Sequence, residues 1–170
     1  MLALLGWRID GLFPSQPKYI ITLAPHTSNW DFVVGIAILL ASGLKISFLI
    51  KKSVFVWPCS ILLHKLGGVP IDRKAAHGVV GQMVEHFNGN EKMVLAIAPE
   101  GTRAKVKQWK VGFIHMAHNA RVPIVPVSFD YNKKLAVINS PMILKSDVQS
   151  DLDTVKAVYL NVQGKNGKVS

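Results

Sequence analysis

Cysteine is almost absent: Cys59 is the only one in 170 residues. This excludes an internal disulfide and a cysteine-built metal site and fits a reducing compartment. As a small apolar side chain, Cys59 is expected in the core. Long apolar runs are also missing, since no stretch reaches the roughly 18 uninterrupted apolar residues of a membrane-crossing helix. The richest run, Phe32 to Leu44, is bounded by Asp31 and Lys45 and broken by Gly35, Ser42 and Gly43, so a buried helix is expected there. Residues 1–7 have apolar character but neither a basic leader nor a small-residue cleavage site, which points to the cytosolic side. There is no internal repeat, low-complexity tract or linker. No G-x-S-x-G elbow occurs, which argues against a serine hydrolase.

Acidic residues are scarce, ten against twenty Lys and Arg, for a net charge of +10. The imbalance is concentrated between Lys45 and Lys110, where eleven basic residues face only Asp72, Glu85, Glu91 and Glu100. A basic region fits nucleic acid, anionic lipid or a phosphorylated small molecule. Nucleic acid is disfavoured, because the basic residues lack interleaved exposed aromatics and no recognition-helix or zinc pattern is present. With 49% hydrophobic residues and a mean hydropathy of +0.28, residues 1–170 are expected to form one domain around one core.

Short runs rich in Ile and Val, bounded by Pro, Gly or charge, read as strands at 19–24, 46–50, 69–71, 94–98 and 124–129. Stretches of helical length lie at 29–41, 54–66, 75–87, 111–120 and 151–162. This alternation predicts an α/β fold, a single domain with a mostly parallel or mixed sheet covered by helices on both faces. Ligands in such sheets gather beyond the carboxyl ends of the strands. Three loops in that position carry unusual chemistry: 25–29, 72–74 and 99–103.

His26 and Asp31 are five residues apart, about 140° around a continuous helix, so they could not meet if both lay inside one. His26 must precede the helix. Ser28 as N-cap with Asp31 three residues on resembles a capping box, and from the preceding loop His26 can fold back onto the Asp31 carboxylate. One ring nitrogen is then oriented and the other is free to take a proton, as in a catalytic triad whose nucleophile is the substrate's own hydroxyl. Taken alone, the pair also fits a cap beside an ordinary loop histidine.

On the other loops, Arg73 follows the strand at 69–71. In the 99–103 loop Gly101 allows close backbone approach, Thr102 offers a hydroxyl, and Arg103 offers a planar fork of donors suited to phosphate. Glu100, between Pro99 and Gly101, is placed to hold the turn or to bond a substrate hydroxyl. Lys105, Lys107 and Lys110 add charge nearby; each taken singly fits a solvated surface.

Together these residues resemble the 1-acylglycerol-3-phosphate acyltransferases and related glycerolipid acyltransferases. The H-x-x-x-x-D motif is similar to His26-Thr27-Ser28-Asn29-Trp30-Asp31, the second motif to Gly68-Val69-Pro70-Ile71-Asp72-Arg73, the third to Pro99-Glu100-Gly101-Thr102-Arg103 and the fourth to Val122-Pro123-Ile124-Val125-Pro126-Val127. All four stand in family order. The resemblance implies His26 as general base and Asp31 as its orienter. It implies an acceptor-phosphate site from Arg73, Glu100, Gly101, Thr102 and Arg103, beside which Lys105 is counted. The donor would be an acyl-CoA or acyl carrier protein thioester and the acceptor a lysophospholipid, with no metal and no bound cofactor. The tetrahedral intermediate would need oxyanion donors, for which the amides near Val69–Ile71 are one choice.

Walls for the acyl chain are expected from 32–40 and 54–66. Leu2, Leu4, Leu5, Trp7, Phe55 and Trp57 are candidate interfacial anchors next to the basic region, which implies peripheral attachment at the cytoplasmic face of a membrane. His115 and His118 match no role in that family, and like His64, His77 and His86 they are read as structural. Two alternatives stay open: another hydroxylated acceptor such as a lyso-ornithine lipid, and a non-catalytic module for anionic membranes.

Overall fold

The computed structural model describes residues 6–72, 74–75, 77–102, 106–145 and 147–168. In chain order they form β1 (Arg8–Asp10), β2 (Lys18–Leu23), α1 (Trp30–Ser42), β3 (Ser47–Lys51), α2 (Cys59–Lys65), β4 (Gly68–Ile71), α3 (Gly78–Gly89) and β5 (Met93–Ile97). Then come α4 (Gly112–Ala120), β6 (Ile124–Asp130), β7 (Leu135–Ile138), α5 (Val148–Ala157), β8 (Gln163–Gly164) and β9 (Gly167–Lys168). Seven strands make one sheet in the order β1-β7-β6-β2-β5-β3-β4, and β8 and β9 form a separate hairpin. From β6 across to β4 every pairing is parallel, whereas β7 runs antiparallel to β6 and carries β1 beside it. The sheet is therefore mixed, and the domain is α/β with helices on both faces.

Alternation along the strands assigns side chains to the two faces. Ile20, Leu95 and Ile124 join Met83 and Phe87 of α3, Phe113, Ile114 and Ala117 of α4, and Leu152 and Val155 of α5 in one core. Tyr19, Ile21, Val94, Val125, Val127 and Phe129 face the other way, onto Val34, Ala37 and Ile38 of α1. Three helices thus cover one face, while α1 serves the other.

A helix is about 10–12 Å across and strands lie about 4.8 Å apart, so a single helix shields roughly two strands. α1 leans over β6, where Gly35 meets the Phe129 ring, and an open groove remains beside it above β5 and β3. The groove has a volume of about 1310 Å³. Phe32, Val33, Ile36 and Leu39 of α1 form one wall, Leu23, Val94, Ala96 and Phe48 belong to the sheet, and His64–Gly67 stand at the other side.

Several expectations need correcting. The helix read at 54–66 starts only at Cys59, because Pro58 has no amide to donate and its ring crowds the residue before it out of helical geometry. The Trp57-Pro58 bond is cis, and Cys59 is exposed rather than part of the core. The last helix begins earlier than read, since Asp147 caps it by accepting from the Gln149 and Ser150 amides. Trp7 is no surface anchor: it is buried, edge-on to Phe129 and Tyr131. Phe55 packs on the His64 ring, whereas Trp57 is 83% exposed. Leu2, Leu4 and Leu5 lie outside the described residues.

Candidate active site

β2 and β5 are adjacent parallel strands, so the loops that leave their carboxyl ends emerge side by side. The first carries His26 and the second Glu100. They are joined directly: the His26 backbone N–H donates to Glu100 Oε2 at 2.8 Å. Glu100 is buried, and burial raises its carboxyl above the ordinary value, an effect that the His26 amide and ring oppose and the Asp31 charge reinforces. The Glu100 side chain thus ties its own loop to the histidine loop, a contact that neither of the two roles read for it from the sequence had named.

His26 Nδ1 stands 3.1 Å from Asp31 Oδ2. The approach is oblique, and Nδ1 makes no hydrogen bond of regular geometry; catalytic hydrogen bonds often align only once substrate is bound. Asp31 is fully buried. Its Oδ2 accepts the Thr27 and Ser28 amides, both at 2.9 Å, and its Oδ1 accepts the Tyr131 hydroxyl at 2.6 Å. Burial pushes the Asp31 carboxyl up, but the adjacent His26 ring, the Tyr131 hydroxyl and the Ser28 amide together outweigh it and leave the group below its ordinary value. Asp31 is an anion.

The capping box forms only in part. Asn29, not Ser28, is the N-cap. Asp31 does reach back to the Ser28 amide, but Ser28 Oγ accepts from Trp30 at 3.2 Å rather than from Asp31. That displacement leaves the Asp31 carboxylate pointing at the loop that holds His26.

On the other loops, Gly101 adopts φ +67°, and a Cβ there would meet Lys110 Cε at 2.7 Å. The Lys110 chain therefore lies along the turn, and its own amide donates to Pro99 O at 2.9 Å. Thr102 is exposed in the same turn. The Asp72 backbone is pinned to α3 by the Gln82 side chain, whose Oε1 accepts from the Asp72 amide at 3.0 Å and whose NH2 donates to the Asp72 carbonyl at 2.7 Å. Arg73, Arg103 and Lys105 lie outside the described residues, although the strands that precede the two arginines end on the His26 edge. β4 is two strands from β5, about 10 Å by strand spacing. The amides near Val69–Ile71, one choice for the oxyanion, belong to this distant edge strand, and Pro70 has none to offer.

Sequence reasoning missed two contributors. Tyr131 is a hundred residues from Asp31, and no local pattern marks it. The β8–β9 hairpin also reaches the loop: the Asn166 amide donates to Thr27 Oγ1 at 3.1 Å and its side chain to Thr27 O at 2.8 Å. His118 Nε2 meets Asp151 Oδ2 at 2.6 Å and ties α4 to α5, while His115 is exposed. Among the described residues no group of three metal-ligating side chains occurs.

The apolar groove ends at the dyad, with His26, Asn29, Asp31 and Ala98 among its lining. The class of protein this defines is an α/β domain with a histidine beside a buried carboxylate at the carboxyl edge of its parallel strands, next to a long apolar channel. The acyltransferase family model matches residues 10–130, and the chain belongs to that family, the family of the glycerolipid acyltransferases. Family membership supports a general role in acyl transfer. Among curated proteins no sequence matches it.

Proposed function

We propose that the protein moves a fatty acyl group from an acyl-CoA or acyl carrier protein thioester to the hydroxyl of a lysophospholipid such as 1-acylglycerol-3-phosphate, a step of phospholipid biosynthesis. The observation that carries this is the meeting of the apolar groove with the His26–Asp31 pair. An acyl chain laid in the groove places its carbonyl at the histidine, and each buried methylene contributes about 0.8 kcal/mol to holding it there. Nδ1 faces Asp31, so Nε2 takes the acceptor's hydroxyl proton. The oxygen attacks the thioester carbon, the tetrahedral intermediate collapses with cleavage of the C–S bond, and the proton passes to the departing thiolate. Arg73, Glu100, Gly101, Thr102, Arg103 and Lys105 form the acceptor side in this reading. Its test is a panel of lysolipids offered with one acyl thioester, scored by product mass. Turnover of a lyso-ornithine lipid but not of lysophosphatidate would move the acceptor class; turnover of none would overturn the reading.

Arg103→Ala is expected to raise the KM of a phosphate-bearing lysolipid roughly ten- to a hundredfold, as a charge-assisted hydrogen bond is lost. Lysine restores this only in part, because a point charge cannot replace the fork. A rise in the thioester KM with the acceptor's unmoved would assign Arg103 to the donor.

The same reading puts the protein peripherally at the cytoplasmic face of a membrane. No helix among the described residues is long and apolar enough to cross one. Residues 32–71 contain four lysines and no acid. Phe32, Val33, Ile36 and Leu66 are exposed along the groove, with Val56, Trp57, Ile61 and Leu62 exposed nearby. Apolar groups rimmed by lysines complement an anionic bilayer, from which lipid substrates could pass sideways into the groove. High salt is expected to release at least part of the protein from anionic vesicles; retention that only detergent reverses would oppose this.

A further inference from the structure

We infer that Tyr131 is a positioning residue for acyl transfer, clamping the Asp31 carboxylate so that Asp31 in turn holds His26. The inference rests on the reading of His26 as the general base. It concerns a residue one position beyond the family-matched region, directly after β6.

The geometry is closed around Asp31. Oδ2 is taken by the Thr27 and Ser28 amides and faces His26, and among the described residues the Tyr131 hydroxyl, at 2.6 Å, is the donor to Oδ1. A carboxylate held only at Oδ2 can pivot about that oxygen, and the second contact removes this freedom. Tyr131 is itself fixed at both ends. Its ring meets Trp7 edge-on with 5.0 Å between centroids, and its amide donates to Gln163 O at 2.8 Å. Gln163 opens the hairpin whose Asn166 grips Thr27, the residue next to His26. Thus β6, the hairpin and the histidine loop form one frame around a buried anion.

The titratable groups that face Asp31 are His26 from its own loop, Tyr131 from the end of β6, and Glu100 from the loop after β5. Burial, the bond to Asp31 and the Asp31 charge all raise the phenol, so Tyr131 remains an O–H donor throughout the working range. As a donor it draws off part of the Asp31 charge. Removing the hydroxyl returns that charge toward His26, favouring the protonated ring that cannot act as base, and also frees the carboxylate to turn.

Tyr131→Phe keeps the ring against Trp7 and deletes the donor alone. The expected result is a kcat lower by roughly tenfold, the scale of a charge-assisted hydrogen bond, with both KM values unchanged. The acid limb of the kcat/KM profile should also move to higher pH. Tyr131→3-fluorotyrosine, a stronger donor of nearly the same shape, should move the limb to lower pH and keeps the question open to test if the phenylalanine variant does not fold. A purely structural role would lower activity at every pH and leave the limb in place, which overturns the inference, as does a kcat within twofold of wild type for Tyr131→Phe. His26→Ala measured in parallel separates the two levels. If that variant stays active, the base assignment falls and this inference with it. If it is inactive while the Tyr131 variants behave as wild type, only the inference falls.

Discussion

Folded His26→Ala is expected to lose turnover by at least about 10²–10⁴-fold, the range a positioned general base supplies. The ring is one-fifth exposed, and its backbone amide, not its side chain, carries the 2.8 Å bond to Glu100. Truncation at Cβ therefore leaves the loop's main tether in place. The deleted group is the one that accepts the proton, so kcat should collapse while the melting temperature changes little. Single-turnover acyl transfer beside thermal unfolding measures both. Near-normal transfer by the folded variant would end the proposed mechanism.

Asp31→Asn should lower kcat by at least about 10²-fold, approaching the 10⁴ seen when the carboxylate of a His–Asp pair becomes an amide. The fold should survive. With its oxygen toward the Thr27 and Ser28 amides, asparagine keeps both of those bonds, and its NH2 can meet Tyr131, whose hydroxyl turns to accept. What disappears is the negative charge that steadies the protonated histidine. Stability should respond to pH in a defined direction. The Asp31 carboxyl lies below its ordinary value in the fold, so its contribution is present above the unfolded value and is lost as pH falls through the folded one. Denaturant titrations should show wild type more stable than the variant at neutral pH, with the gap closing on acidification. A gap independent of pH, or a variant with wild-type kcat, would contradict this account of Asp31.

The acidic and basic residues of the site were legible to different degrees. The spacing of His26 and Asp31 allowed them to meet, because a helix start must fall between them, but only the other motifs in order turned that spacing into a pair with a role. Glu100 was legible as a turn residue but not as the partner of His26, since that contact depends on β2 and β5 being neighbours in the sheet. Strands β1 and β7 were missed. They are three and four residues long, too short for alternation to register, and they owe their conformation to pairing at the edge. The helix expected at 54–66 was overread because an apolar run looks helical even where Trp57-Pro58 interrupts it.

What the sequence determined by itself was local and periodic: the α/β alternation, the loops that carry charge, the four motifs in order and the His26–Asp31 spacing. Each follows from torsional preference, side-chain chemistry or separation along the chain, none of which requires a partner from elsewhere. Only the tertiary structure decided that α1 shields too little of its face and leaves a groove ending at His26. It also decided that Tyr131 and Asn166, a hundred and more residues away, close around the His26 loop. Such contacts arise from the order in which strands pair, and strand order is a property of the whole packed chain that no window of sequence contains.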